Sequence, residues 1–272
     1  MAGPGSSPVC RCRGEVTGNE HVCSGLIRLS LALPREPGFV PGQFAMLNLP
    51  GPDAWTFGRP LSILDWQDGV VSFLYRVVGR GTAQLAALKP GDQVTFLGPL
   101  GTPFPTEFEG CKVVLVAGGV GLPPLFAWRH RFPGSTVAAY FGARNGEDVP
   151  WSLLGPDWQI GVEEFSDGSP EHVRRGLVTD LLEVDFPSSE ASPDNVILAC
   201  GPWPMLKAVH SLARERRWTC WLSLEEHMGC GYGACKGCVV PVNDGDGRWR
   251  PATCCQEGPV FDAERLAWSE LE

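Results

Sequence analysis

Histidine is scarce in this chain, and its scarcity excludes one large class of enzyme. The 272 residues contain five histidines, which lie far apart at positions 21, 130, 172, 210 and 227. No Ser/His/Asp arrangement can be argued from the sequence around them, and a hydrolase of that type needs a histidine as its general base. We therefore do not expect a hydrolase centred on histidine.

Positive charge and long apolar runs are lacking as well. The 22 lysines and arginines are outnumbered by 31 acidic residues, so the net charge is −9, and no basic cluster attracts nucleic acid. Apolar runs such as residues 113–117 fall far short of the roughly 18 residues of a membrane span. The first fourteen residues contain no apolar core of a secretory signal. We expect no nucleic-acid partner, no membrane span and a cytoplasmic location.

Cysteine, by contrast, is abundant, with eleven residues that we expect to be reduced thiols in the cytoplasm. Cys230, Cys235 and Cys238 follow one another with four and then two residues between them, the spacing of a plant-type 2Fe–2S cluster. Glycines reach backbone conformations that let a short loop wrap around such a cluster. The loop contains four: Gly229, Gly231, Gly233 and Gly237. The spacing predicts a protein that handles electrons.

The fourth thiolate must come from elsewhere, and the adjacent Cys254 and Cys255 are both placed to supply it. A zinc site is the main alternative, but it would normally show two C-x2-C pairs or a mixture of cysteine and histidine. Disulfides fit the spacing less well. Cys10 and Cys12 are expected to lie in a frayed tail, and we assign them no role.

The order of the predicted elements divides the chain into three domains. Residues 1–107 contain short strands separated by Gly/Pro turns, as in an antiparallel β-barrel. Residues 108–222 alternate strands with helices, which indicates a parallel α/β domain. Residues 223–272 hold the cysteine loop and a hairpin around a turn at 243–247. The predicted strands are 26–33, 44–49, 70–78, 93–97, 112–117, 137–141, 160–165 and 195–200, and the predicted helices are 83–88, 177–182, one starting at 125 and one ending near 216.

Two groups of residues in the barrel could hold a flavin. The first group is the run Arg59, Pro60, Leu61 and Ser62. The Arg59 guanidinium could bind a pyrophosphate, and the Ser62 hydroxyl could contact a flavin ring. In the second group, Leu74, Tyr75 and Arg76 precede Gly81 and Thr82. Tyr75 could stack on a flavin, and the glycine and threonine could offer N–H groups to a phosphate at a helix start. The alternatives are a surface loop, a barrel aromatic and a plain N-cap.

The α/β domain offers two nucleotide loops. Gly119 and Gly121 follow a strand and open a helix, the setting of a dinucleotide loop, although the third glycine is missing. Cys200, Gly201 and Pro202 close the last strand, and ligands of open α/β sheets bind outside such carboxyl ends. A buried thiol before a turn is the alternative. Arg144 follows the second strand, where the 2′-phosphate of NADP could lie, so the choice between NAD and NADP stays open.

Together these motifs resemble the ferredoxin–NADP reductase superfamily. R-P-L-S at 59–62, L-Y-R at 74–76 with G-T at 81–82, A-G-G-V-G-L-P-P-L at 117–125 and C-G-P-W-P-M at 200–205 stand in its order. Within it, the loop M-G-C-G-Y-G-A-C-K-G-C at 228–238 and C-Q-E-G-P-V-F at 255–261 resemble the electron transfer subunits of type-B dihydroorotate dehydrogenases. The resemblance spans about residues 15–262.

The resemblance implies a specific role. It implies FAD in an N-terminal β-barrel, NAD in a central α/β domain, and a 2Fe–2S cluster on Cys230, Cys235, Cys238 and Cys255 in a C-terminal domain. The neighbouring Cys254 departs from the family's pattern. The implied partner is an FMN-containing catalytic subunit, in a heterotetramer of two plus two, that oxidises dihydroorotate in pyrimidine biosynthesis. Its electrons would pass through the cluster and FAD to NAD+. The alternatives are a reductase of another redox complex, serving a hydrogenase, an oxygenase or a sulfide- or ferredoxin-linked system, and a redox sensor without turnover.

Overall fold

A computed structural model describes residues 8–49, 57–108, 110–164, 173–187 and 194–271. The N-terminal strands form a closed antiparallel barrel in the order β1-β2-β5-β4-β3-β6, as predicted. Its interior is filled by apolar side chains, among them Phe73 and Phe96, and burial alternates along strands such as β2 and β6. The barrel elements are β1 (Cys10–Cys23), β2 (Leu26–Ala32), β3 (Phe44–Asn48), β4 (Arg59–Gln67), β5 (Val70–Tyr75), α1 (Arg80–Ala86) and β6 (Gln93–Leu100).

The N-terminal segment corrects one expectation. Cys10 and Cys12 do not lie in a frayed tail but begin β1, which pairs with both β2 and β6. Cys10, Gly14 and Val16 are buried while the arginines between them are exposed, so this strand alternates like the others. The alternation is not visible as an apolar pattern in the sequence, because two arginines and a glycine occupy the start of this strand. The barrel closes through this strand.

The second unit is a seven-stranded sheet in the order β10-β9-β8-β7-β11-β12-β15. Its strands are parallel except for the last pair, as the continuous apolar strands predict. The elements are β7 (Lys112–Gly118), α2 (Leu122–Arg131), β8 (Thr136–Asn145), β9 (Trp158–Glu164), β10 (Val173–Arg175), α3 (Val178–Asp185), β11 (Asn195–Cys200), α4 (Trp203–Arg216) and β12 (Thr219–Ser223). Residue 165, the end of one predicted strand, lies outside the described residues.

The C-terminal segment is continuous with this sheet. It contains the hairpin β13 (Val239–Asn243) and β14 (Trp249–Thr253), the short helix α5 (Cys254–Glu257) and the edge strand β15 (Val260–Asp262). β15 pairs antiparallel with β12, and the Leu224 N–H donates to the Pro259 carbonyl at 2.9 Å. The boundary predicted at 222/223 therefore crosses a region of shared hydrogen bonds.

The barrel and the sheet also pack directly against each other. Leu64 and Leu74 of the barrel join the apolar core that contains Leu122 and Leu125 of α2. Since all four side chains are almost fully buried, this contact fixes the barrel beside the carboxyl edge of the sheet. Among the described residues, no helix is long and apolar enough to cross a membrane.

Candidate functional site

The cysteine loop adopts the backbone that its glycines predict, with one addition. Gly231 and Gly233 have φ of +79° and +85°, whereas Gly229 and Gly237 are not in the left-handed region. Lys236 also has a positive φ, of +55°. These turns bring Cys230 close to Cys235, and they bring Cys255 close to Cys238 and Cys230. Among the described residues, no three of these side chains are already positioned around a single metal ion.

Backbone N–H groups point at three of these sulfurs. The Gly233 N–H donates to the Cys255 sulfur at 3.1 Å, and the N–H groups of Cys235 and Cys255 donate to the sulfurs of Cys230 and Cys238, each at 3.4 Å. Such donors stabilise thiolates and iron-bound sulfur. Three of the four predicted ligand sulfurs thus already accept a backbone N–H.

The pKa values show why this set fits a metal centre. Burial alone would raise the pKa of Cys230, but the N–H groups of Cys235, Tyr232 and Ala234 lower it to about 6. Burial and the neighbouring Cys238 instead raise the pKa of Cys255 to about 12. Thiols this close cannot all ionise unless positive charge is supplied. Bound metal ions supply that charge, and their thiol ligands lose their protons as a result. The donor set therefore fits an iron–sulfur cluster.

The structure separates the two adjacent cysteines. The Cys255 sulfur accepts the Gly233 N–H within the loop, whereas the fully buried Cys254 thiol points to the Leu224 carbonyl, 3.8 Å away. Consecutive side chains on a helix point about 100° apart, so only one can face the loop. Burial raises the pKa of Cys254 and keeps it a thiol. The geometry favours Cys255 as the fourth ligand.

The run Arg59–Ser62 lies at the start of β4, where the barrel wall opens. Its residues pair with β3, in the register Ser62 to Phe44 and Pro60 to Met46, but pairing with β5 begins only at Ile63. The four residues are therefore half-exposed on the side that β5 leaves free. The preceding Trp55 and Thr56 lie outside the described residues. The predicted flavin-binding run therefore lies on an open stretch of the barrel wall.

Arg59 and Gly81 meet across this opening. The guanidinium of Arg59 lies over Gly81 so closely that a Cβ on the glycine would overlap it. Two predicted phosphate-binding residues, far apart in sequence, are thus neighbours in space. The guanidinium and the backbone at the start of α1 together form a compact place for an anion.

Thr82 has a different position from the predicted N-cap. Helix α1 begins at Arg80, with Gly79 at the N-cap, so Thr82 lies inside the first turn. Its hydroxyl accepts the N–H groups of Val78 and Gly79, at 2.9 and 3.1 Å, and donates to the Gly79 carbonyl. Thr82 therefore shapes the loop 76–79 and satisfies backbone groups of its own chain.

The three residues Leu74, Tyr75 and Arg76 point in different directions. Leu74 is buried against α2, and Tyr75 lies inside the barrel, where its hydroxyl donates to Asn19 at 3.0 Å and burial raises its pKa to about 12. With an exposure of 1%, the Tyr75 ring has no free face for the predicted stacking on a flavin. Arg76 alone is exposed, and its guanidinium reaches the nucleotide loop: a Cβ on Gly119 would lie 3.6 Å from it.

The two nucleotide loops lie against each other at the carboxyl edge of the sheet. β7 has β8 on one side and β11 on the other, so the chain reverses direction across the sheet between β7 and β11. Ligands bind at such a switch point. Gly121 packs on the Cys200 carbonyl and the Gly201 N–H so closely that a Cβ would overlap both. The structure therefore brings Gly119, Gly121, Cys200, Gly201 and Pro202 into one crevice.

The prediction for Cys200 needs refinement. The thiol is 2% exposed, and burial, with the charge of Glu225, raises its pKa. It is an inert side chain under the crevice, and only the backbone that follows it reaches the opening. Pro123 and Pro124 stand in the first turn of α2, where proline's missing N–H costs nothing.

Sequence reasoning missed Glu225, which follows β12 at the same edge. The Glu225 side chain contacts solvent. The surrounding protein nevertheless displaces enough water to raise the pKa of its carboxyl, and the positive charge of Arg76 opposes that rise. Glu225 lies two residues after β12, a strand that the sequence analysis does not predict because it makes 195–200 the last strand of the sheet, which is wrong. Glu225 places an acidic group beside the crevice.

Comparisons with known proteins agree with this geometry. Residues 13–104 match the family model of an oxidoreductase FAD-binding domain, and residues 225–267 match the iron–sulfur cluster binding domain of dihydroorotate dehydrogenase B. The dihydroorotate dehydrogenase B (NAD(+)) electron transfer subunit of Shouchella clausii is 38% identical over 231 residues, which are 81% of this chain and 84% of the relative. The chain belongs to this family.

Other relatives and solved structures extend the match. The electron transfer subunit homolog of Aquifex aeolicus is 35% identical over 93% of this chain and 96% of its own. The structure of an NADH-dependent reduced ferredoxin–NADP oxidoreductase, solved for insight into flavin-based electron bifurcation, superposes with a TM-score of 0.78 at 26% identity, over 95% of this chain and 91% of that one. The ferredoxin reductase of carbazole 1,9a-dioxygenase, at 21% identity and a TM-score of 0.64 over 78% and 66% of the two chains, shares the fold.

As a member of this electron transfer subunit family, the chain carries FAD and a 2Fe–2S cluster and uses NAD(P). The predicted assignment of individual residues to these groups stays a prediction. Arg144, considered for a 2′-phosphate, lies near the end of β8 and forms an ion pair with Glu164 at 3.0 Å. A carboxylate at this point disfavours the phosphate that distinguishes NADP.

Proposed function

We propose that this chain is the electron transfer subunit of a dihydroorotate dehydrogenase that reduces NAD+ in pyrimidine biosynthesis. The observation that carries the proposal is the four-cysteine set on the loop 228–238 and α5, with its N–H donors, next to a barrel of the flavin-binding type. The family match covers both units. A redox sensor would need neither the nucleotide crevice nor its contact with the barrel.

The cofactors divide the chemistry, since a cluster exchanges single electrons, a nicotinamide exchanges a hydride, and a flavin can do both. The chain's own residues hold these groups close together. Gly231 of the cysteine loop packs on Met46 of β3, where a Cβ would overlap the methionine side chain. Met46 is paired with Pro60 on the next strand, and neighbouring strands lie about 4.8 Å apart. One strand therefore separates the cluster loop from the flavin strand.

In the proposed arrangement, Arg59 and the backbone at Gly81 hold the flavin's pyrophosphate, and Ser62 and the half-exposed Pro60 and Leu61 line its ring. Gly119, Gly121 and the turn at Cys200–Pro202 hold NAD at the switch point. Arg76 spans from the barrel to Gly119, where it can neutralise phosphate charge. Cys230, Cys235, Cys238 and Cys255 hold the iron.

The catalytic partner is proposed to be an FMN-containing subunit that oxidises dihydroorotate, in a heterotetramer of two plus two. Cys235 is the exposed ligand, and exposed apolar side chains surround the loop, notably Tyr232 and Val239. An exposed apolar patch beside a redox centre is typical of a docking face. The thiol ligands suit the reducing cytoplasm.

The test is co-expression with the FMN subunit encoded by the same organism. We expect a complex with FAD, FMN and iron that reduces NAD+ with dihydroorotate. In the Cys235→Ser variant we expect dihydroorotate-dependent NAD+ reduction to be lost while FAD-dependent oxidation of NADH by a dye continues. A complex with all its cofactors but no dihydroorotate-dependent activity would refute the function.

One alternative has its own observation. The structural similarity to the NADH-dependent reduced ferredoxin–NADP oxidoreductase covers nearly the whole chain, so a reductase subunit of another redox complex would use the same architecture. Purification of the native protein with its partners distinguishes the two. A partner without FMN and without dihydroorotate oxidation would favour the alternative.

A further inference from the structure

Lys236 occupies a backbone conformation that a lysine rarely adopts. Among the described residues, three other than glycine have a positive φ: Asp68, Arg217 and Lys236. Asp68 is in the turn between β4 and β5, and Arg217 is the C-cap of α4, both ordinary places for this conformation. Lys236 lies instead between two cluster ligands, where glycine would be free of strain. An outlier of this kind points to a role for the side chain.

The side chain is tied to the opposite half of the cluster site. The Lys236 ammonium donates to the Gln256 side-chain oxygen at 3.4 Å. Gln256 directly follows Cys255, and its amide lies on Gly233 so closely that a Cβ there would overlap it. Gly233 in turn donates its N–H to the Cys255 sulfur. This hydrogen bond between two exposed side chains places the ammonium between the three-cysteine loop and the helix with the fourth cysteine.

The charge of Lys236 is not cancelled by an ion pair within the described part of the chain, although a nearby one exists. Arg250 and Glu257 pair at 2.6 Å and largely cancel each other. A cluster with four thiolate ligands is an anion, and one added electron makes it more negative. A fixed ammonium beside it stabilises the reduced form more than the oxidised form.

We propose that Lys236, held by Gln256, is a positioning residue that raises the reduction potential of the cluster and so favours its acceptance of electrons from the partner. The inference rests on the proposed cluster site but not on the partner's identity. Because both side chains are exposed, solvent screens the Lys236 charge, and the proposed effect depends on the Gln256 contact that keeps the ammonium near the cluster ligands.

The experiment measures the cluster's reduction potential by EPR-monitored titration of the purified, cofactor-loaded protein. We compare the wild type with Lys236→Gln, Lys236→Arg and Gln256→Ala, and use Lys207→Gln, an exposed lysine on α4, as the matched control. Iron, sulfide and FAD contents are measured for each variant. We expect Lys236→Gln to shift the electron-exchange equilibrium between cluster and flavin about threefold to tenfold away from the cluster; tenfold corresponds to about 59 mV for one electron.

We expect Lys236→Arg and Lys207→Gln to keep the wild-type potential, and Gln256→Ala to move it in the same direction as Lys236→Gln but less far. An unchanged potential in Lys236→Gln with full iron content would overturn the inference, as would an equal shift in Lys236→Arg. A wild-type protein without a cluster would overturn the proposed function itself, and this inference with it.

Discussion

The cluster site and the nucleotide crevice are built in opposite ways. The cluster site takes three of its four predicted ligands from one loop of nine residues, 230–238, and its backbone follows from the glycines there. The crevice takes its parts from strand ends that lie about 80 residues apart in sequence, at Gly121 and Cys200, and uses mainly their backbone. The cluster site depends on the chemistry of its cysteine side chains, whereas the crevice depends on the close approach of two backbone loops.

This difference decides how substitutions should act. In the cluster site, removal of one sulfur removes a ligand, whereas the neighbouring thiol that faces away contributes only packing. In the crevice, no single side chain is irreplaceable, but added volume between the two loops should be destructive.

The largest effect is expected for Cys255→Ala compared with Cys254→Ala. Mutation of a residue that only supports a metal ligand typically lowers metal affinity about 10- to 100-fold. Loss of the ligand itself should reduce iron retention at least as much. Cys254→Ala should keep the cluster and lose only about 1 kcal/mol of stability, because it creates a small cavity beside Leu224. Iron per protein and the EPR spectrum of the reduced protein provide the measurement.

The matched pair contains its own control, since the two positions are adjacent and both buried. Equal iron loss in both variants would show that disruption of α5, rather than ligation, is responsible. Iron loss in Cys254→Ala alone would reverse the assignment of the fourth ligand and make the sequence alternative correct.

A smaller effect is expected for Gly121→Ala. A Cβ at this position would overlap the Cys200 carbonyl, which is backbone and cannot move aside easily. We expect a loss of about 1–3 kcal/mol in stability and a marked rise in KM for NADH with a dye acceptor. Gly134→Ala is the control, because a Cβ there meets nothing within 4 Å. An unchanged KM in Gly121→Ala would place the nucleotide elsewhere.

The same contrast explains what the sequence could predict. Cysteine spacing identified the cluster loop, short strands between Gly/Pro turns identified the barrel, and continuous apolar strands alternating with helices identified the parallel sheet, because these signals are local. The predicted strands omit β1, β4, β10, β12 and β15. The sequence also did not show the burial of Tyr75, which depends on how β5 turns at the barrel opening. The contact of Arg59 with Gly81 and the position of Glu225 likewise depend on the assembled fold.

The smallest effect is expected at the far side of the sheet, where an ion pair should be structural only. Asp185 accepts hydrogen bonds from both terminal guanidinium nitrogens of Arg174 and from the Tyr140 hydroxyl. The hydrogen bonds from Arg174 are the main reason why the pKa of Asp185 is lowered. Asp185→Asn should cost about 1 kcal/mol, since the pair is partly exposed. KM for NADH should not change.

The pH dependence gives this prediction its sign. Because the folded-state pKa of Asp185 is lowered, its contribution to stability is fully present above the ordinary carboxyl pKa and is lost as the pH falls through the lower folded-state value. The difference in Tm between wild type and Asp185→Asn should therefore be the same at about pH 7 and pH 6 and narrow below about pH 4. A difference that widens in acid would show that Asp185 is not held ionised by Arg174. A changed KM would extend the nucleotide site to this edge and weaken its contrast with the compact cluster loop.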